Sequence, residues 1–255
     1  MKKFILTSLT VIFTLSIAFS QSFSYSGLNE GSYTPVNQDR STNSTYLITH
    51  SLSQTIIALN SVSCNAGGLH TDNAYLRVFD LVTDFGINED IIISSIDFGI
   101  ELASSGSGGS QPAVVNVYTL SGTFIYANLT LIATQAISVA DQTLSILNVP
   151  ISATIPAGTI LVIEVFTPSG QAVGNSFFIG SNNLGETDAS YLATADCNIF
   201  EPTTTAGIGY PGMNTVMTVN ADSAIQPIPL NNWAIYFGIF LIGLFVIYRF
   251  RRKIA

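Results

Sequence analysis

Ten short stretches rich in Val, Ile, Thr and Phe, each broken by Gly, Pro, Asn or Ser, limit what this chain can become. They lie at 54–64, 74–82, 91–102, 113–120, 123–133, 137–149, 159–167, 176–180, 191–199 and 213–219. β-branched and aromatic residues suit a pleated surface, and the breakers supply turns. No stretch between the two ends of the chain keeps a helical period. The spacing predicts an all-β fold, a β-sandwich of the jelly-roll type, over 45–222. Ser121-Gly122 reads as a short hairpin turn, and Pro156-Ala157-Gly158 as a turn feeding the run ILVIEVF. SSGSGGSQP at 104–112 reads as a flexible loop, because runs of similar character flank it.

Both ends differ from this middle. Lys2 and Lys3 precede an apolar stretch, and Ala18-Phe19-Ser20 offers small residues for cleavage before Gln21. Residues 1–20 therefore read as a secretory signal peptide. Residues 21–44, rich in Ser, Asn, Gln, Gly and Thr, read as a flexible leader. At the other end, Trp233 to Tyr248 carry no charge. As a helix this run is about 24 Å long, short for a bilayer core of about 30 Å. Its aromatic ends, Trp233, Tyr236 and Tyr248, suit the interface. Arg249, Arg251, Arg252 and Lys253 follow at once and act as a membrane stop. The reading is a transmembrane helix at 233–248 with a basic cytoplasmic tail at 249–255 and everything upstream outside.

Residues 223–232 hold a linker and the motif Ile228-Pro229-Leu230 ahead of Asn231-Asn232-Trp233. This layout of motif, apolar helix and basic cluster resembles the IPTL-CTERM and PEP-CTERM class of bacterial sorting tails. The motif here reads IPL with two Asn rather than IPTL with Ser-Glu-Trp. The resemblance covers about the last 28 residues. It implies an exosortase-like enzyme that cuts near the motif and passes the protein to the cell surface. A permanent single-pass anchor is the alternative. A second resemblance runs through SVSCNAGG, AYLRVFDL, PAGTILVIEVFTPSGQ, GNSFFIGSNN and ATADCNIFEPTTTAGIGYP. These segments look like a region that recurs in secreted bacterial surface proteins, and they imply an extracellular β-domain of unsettled role.

Charge is distributed unevenly. Between the two ends only Arg40 and Arg77 are basic, while all 16 acidic residues lie there. That part carries a formal charge of about −14, which repels polyanions and excludes nucleic acid as a partner. Cys64 and Cys197 are its two cysteines. Outside the cytoplasm they most simply form one disulfide, with two free thiols as the alternative.

Alternation suggests faces. Ile96, Phe98 and Ile100 point one way, and Asp97 and Glu101 the other. Asn116 and Tyr118 share a face, and Glu164 sits between Val162 and Phe166. Were these strands neighbours, Asp97, Glu101, Asn116, Tyr118 and Glu164 would line one sheet. Carboxylates, an amide and an aromatic ring suit sugar hydroxyls and ring faces, so an extracellular polysaccharide is the expected partner. Ordinary solvent-facing polar residues are the alternative. Two loops, 84–90 and 182–188, carry oxygen donors at Asp84, Asp90, Asn182, Glu186 and Asp188. They read either as plain turns or as a structural calcium site. No HExxH, GxSxG or phosphate-loop motif occurs, and no enzyme activity is expected. Two functions follow: an adhesive or carbohydrate-binding surface module, or a structural surface or matrix protein without a specific ligand.

Overall fold

The fold is built on one long strand. Its order in the computed structural model, which describes residues 22–25, 46–224, 236, 237, 239–245 and 249, begins with β1 (Ser22–Tyr25), β2 (Tyr46–Ile48), β3 (Val62–Ala66), β4 (Leu69–His70) and β5 (Asn73–Asp80). Next come β6 (Ile91–Ser104), β7 (Ser110–Leu120), β8 (Leu129–Ala140), β9 (Gln142–Ile155) and β10 (Ile160–Thr167). The chain continues with β11 (Ser176–Ile179), β12 (Ser181–Asn182), β13 (Ser190–Thr194), β14 (Ile199–Thr204), β15 (Asn214–Thr215) and β16 (Met217–Ser223). The long strand is β6. β9 runs antiparallel along one of its edges from Ile91 to Ala103. The other edge is shared: β16 pairs with residues 91–98, and β11 with residues 100–104.

The handover between β11 and β16 occurs at two glycines. Gly180 N donates to Gly99 O at 2.7 Å, Gly99 N to Val216 O at 2.9 Å, and Val216 N to Gly180 O at 2.9 Å. A methyl at Gly180 would sit 2.5 Å from the Gly99 carbonyl carbon. Backbone cannot swing aside as a side chain does. We expect Gly180→Ala to cost about 3 kcal/mol, the upper end of the usual overpacking range. Urea unfolding of the variant checks this.

A second antiparallel sheet has the order β14-β13-β5-β10-β7-β8. The two sheets enclose one core, with Tyr75, Phe79, Val117 and Ile163 from the second meeting Ile93, Phe98, Ile100 and Val219 from the first. A bulge between Ile93 and Ser95 keeps β6 apolar inward: Ile91 and Ile93 point in before it, and Ile96, Phe98 and Ile100 after it. An inserted residue switches the face on which alternation falls. The all-β, two-sheet expectation therefore holds.

Several boundaries differ from the sequence reading. Thr123 to Asn128 leave the sheet and end in a 3-10 turn at Tyr126–Asn128, so Ser121-Gly122 does not close a two-residue hairpin. The run 137–149 breaks at Asp141 into the ends of β8 and β9. In 54–64 only Val62 to Cys64 are strand. Within the expected leader, Ser22–Tyr25 pair with β3, placing Phe23 opposite Cys64. Cys64 and Cys197 form a disulfide spanning 133 residues.

The signal peptide, the sorting motif Ile228-Pro229-Leu230, Trp233, and Arg251, Arg252 and Lys253 lie outside the described residues. Residues 236, 237, 239–245 and 249 are helical, and their described side chains are exposed. Among the described residues, no helix is long and apolar enough to cross a membrane.

Candidate functional site

The run ILVIEVFT is β10, the strand between β5 and β7. Leu161, Ile163 and Val165 face the core. Val162, Glu164 and Phe166 face the opposite way, onto the outside of the six-stranded sheet. That outer face is itself largely apolar: Ala74, Leu76, Val162 and Ala193 form a second buried cluster. Apolar surface of this kind needs a cover, and the segment 121–128 provides it. Phe124 meets the ring of Tyr191 edge-on at 4.8 Å, and Tyr126 N donates to Glu201 Oε2 at 2.8 Å.

The cover is incomplete. It leaves a groove of ≈ 400 Å³ lined by Glu164, Asn116, Tyr118, Tyr126, Phe166 and Phe200, among others. Strand register puts Asn116 directly opposite Glu164, and Tyr118 opposite the adjacent Val162. Glu164 is the unusual member. It is only 5 % exposed, and its Oε2 has no hydrogen-bond partner. Burial pushes its carboxyl above the usual range, while hydrogen bonds from Tyr118 and Asn116 partly oppose this. Burial and the Glu164 carboxylate together push the Tyr118 and Tyr126 phenols well up. Phe200, 67 % exposed, stands at the rim.

The remaining wall is the β13–β14 turn, where Thr194, Ala195 and Ile199 line the groove beside Asp72. Asp196 N donates weakly to Asp72 Oδ1 at 3.4 Å. Burial raises the Asp72 carboxyl, and neighbouring Asp196 adds to the effect. The disulfide anchors this turn, because Cys197 lies in it while Cys64 lies in β3.

Of the five residues expected on one sheet, the structure brings Asn116, Tyr118 and Glu164 together and separates the other two. Asp97 and Glu101 belong to β6, in the other sheet. Asp97 accepts from Asn148 Nδ2 at 2.5 Å and from Asn220 Nδ2 at 2.9 Å, forming a polar ladder across β9, β6 and β16. Glu101 is fully buried and accepts from Leu59 N at 2.6 Å and Ser61 N at 2.9 Å. It holds a turn in which Leu59 adopts φ 62. Both acids are engaged within the fold rather than presented to a ligand. Tyr126, Phe200 and Asp72 escaped the sequence reading, because they reach the groove from segments remote from β10.

The loop oxygens also separate. Asp90 Oδ1 accepts from Ala157 N at 2.8 Å. Asn182 is buried, donating to Ser53 O and Thr55 O at 3.0 and 2.8 Å. Glu186 pairs with Arg77 at 2.9 Å. Asp84 and Asp188 approach each other beside His50. His50, which has no paired histidine in the sequence, was not among the expected ligands.

No family model matches the chain, and no curated protein does. The solved structures to which the chain is weakly similar include two of one protein. One is the cysteine protease and lectin-like domains of Cwp84, a surface layer associated protein of Clostridium difficile, at 15% identity and a TM-score of 0.42, covering 66% of this chain and 38% of that one. The other is a variant of the clostridial cysteine protease Cwp84 after propeptide cleavage, at 16% identity and a TM-score of 0.41, covering 66% of this chain and 43% of that one. The chain thus spans less than half the length of either, and at these scores the likeness carries no argument about activity.

Proposed function

We propose that this chain is an exported, cell-surface-sorted β-sandwich module that binds carbohydrate in the groove on the outside of the six-stranded sheet. The observation that carries the reading is Glu164, a buried carboxylate with an unpartnered oxygen inside an aromatic-lined groove. An unpaired buried acid is costly. Among the described residues the Arg and Lys side chains are Arg77 and Arg249, and Arg77 is committed to Glu186. The groove therefore asks for hydrogen-bond donors from outside. Sugar hydroxyls donate, and the C–H faces of sugar rings suit Tyr118, Tyr126 and Phe200. In this reading the sandwich is of jelly-roll type, supported by β8 and β9, consecutive strands that lie in different sheets. Export, the membrane helix and exosortase-like release at Ile228-Pro229-Leu230 rest on the sequence pattern.

Glu164→Gln separates binding from folding. It keeps the shape and removes the charge, so retention on the preferred polysaccharide should weaken about tenfold to a hundredfold, the range for a hydrogen bond to a charged group. Stability should move the other way. The folded-state pKa of Glu164 is raised above the ordinary 4.5. Its contribution is therefore fully present below that value and is lost as pH rises through the folded-state pKa. At neutral pH the variant should be more stable by about 1–3 kcal/mol, with the gap closing in acid. Retention of wild type and variant on a panel of insoluble polysaccharides, beside urea melts at pH 4 and pH 7, checks both. Equal retention would remove Glu164 from the binding role.

One observation favours the structural reading instead. β8 ends the six-stranded sheet, with Leu131 and Ile132 exposed. A long edge strand of this kind invites pairing with a second chain. Concentration-dependent assembly, with no polysaccharide retained, would select it.

A further inference from the structure

We infer that His50, Asp84 and Asp188 form a binding site for one divalent transition cation of the zinc class. His50 follows β2 and is only 2 % exposed. Its ring stacks on Phe79 at 5.1 Å with an interplanar angle of 4°, and Phe85 lies 5.2 Å away. The imidazole is therefore fixed in plane. Nδ1 is hydrogen-bonded to Thr187 Oγ1 at 2.7 Å. Nε2 is buried without a hydrogen-bond partner.

That nitrogen faces two acids. Asp84 Oδ2 is 3.8 Å from Nε2, too far for a hydrogen bond. One ligand atom each from His50, Asp84 and Asp188 lies within 4.8 Å of the other two. In the tautomer whose Nδ1–H donates to Thr187 Oγ1, Nε2 presents a lone pair towards two carboxylates. Like polarity converging at that distance is unfavourable unless something positive stands between.

The surroundings also suit a ligand set. Thr187 orients the ring through the nitrogen that is not used, the second contact that metal-bound histidines usually have. Asp188 is held through its backbone, whose carbonyl accepts from Arg77 Nη1 at 2.7 Å. Its Oδ1 accepts from Ala189 N at 2.7 Å, leaving the other oxygen for an ion. Both acids are exposed, so their side chains can close the last ångström around a cation. One imidazole and two carboxylates suit zinc, manganese or cobalt, whereas calcium prefers oxygen alone. Three protein ligands leave a position for water.

The test uses the full-length chain, stripped with chelator and titrated with Zn²⁺, Co²⁺ and Ca²⁺ by calorimetry, with the visible absorption of Co²⁺ as a second signal. One Zn²⁺ per chain is expected, with Co²⁺ competing for it. D84N, at an exposed position that should leave folding intact, is expected to weaken Zn²⁺ affinity at least about tenfold, and H50Q to do the same. Absence of Zn²⁺ binding to wild type, binding of Ca²⁺ in preference to Zn²⁺, or undiminished Zn²⁺ binding in D84N would each overturn the site. Polysaccharide retention enters none of these readings.

Discussion

Replacing Cys64 and Cys197 together by serine should destabilise the folded chain by about 5 kcal/mol. The bond closes 133 residues, and in the chain-entropy model a loop of that length constrains the unfolded chain by about that amount. The consequence is local as well as global. Cys197 sits in the turn between β13 and β14, and residues of that turn wall the groove. Cys64 lies in β3, where its N–H donates to Asn73 Oδ1 at 2.7 Å. Freed from this anchor, the turn is held by the weak Asp196–Asp72 contact and by strand pairing. The serine variant should therefore lose polysaccharide retention at urea concentrations below its own unfolding midpoint. Denaturant melts followed by retention assays check both effects. A stability loss under about 1 kcal/mol would mean that β3 and the turn are fixed by packing alone.

Arg77→Met should cost about 3–5 kcal/mol, the usual consequence of removing one partner from a buried ionic network. Arg77 is fully buried on β5. Its guanidinium donates to Thr215 O from Nε at 3.2 Å and from Nη2 at 2.6 Å, and to Asp188 O from Nη1 at 2.7 Å. Nη2 also pairs with Glu186 at 2.9 Å. One planar fork thus ties β15 and the loop before β13 to the six-stranded sheet. Methionine would leave two backbone carbonyls without these donors. Arg77→Lys should recover little, because an ammonium cannot reproduce the fork. Adding Glu186→Gln to Arg77→Met should restore a part, since it removes the widowed charge. Urea melts of wild type, the two single variants and the double variant form a double-mutant cycle that measures the coupling. Arg77→Met should also lower Zn²⁺ affinity, because it releases the backbone of Asp188.

Much of this was legible in the sequence, for identifiable reasons. Turn residues between β-rich runs marked the strands, among them ILVIEVF, which the Pro156-Ala157-Gly158 turn feeds. The odd acid in that run pointed to Glu164, and alternation placed Asn116 and Tyr118 correctly because β7 and β10 are neighbours. Alternation assigns a face but never a sheet, which is why Asp97 and Glu101 were grouped with them. Thr123 to Asn128 carry strand-like residues, yet they are used as a cover, because the apolar outer face around Leu76 and Val162 demands one. His50 lacked a neighbouring histidine, and its partners come from loops 34 and 138 residues away in sequence. No local pattern records such a meeting.

The divided edge of β6 bears on the order in which the chain can be completed. β16, the last strand of the sandwich, lies between β6 and β2 rather than at a margin. For a chain delivered N-terminus first, the sheet keeps an open slot until Ser223 has arrived. Pairings across so many residues form slowly, because loop closure must precede their reward. The half-built sheet therefore exposes the edges of both β6 and β2, and its closure waits on the stretch just ahead of the motif at Ile228. Completion of the fold and arrival of the tail are thus nearly one event.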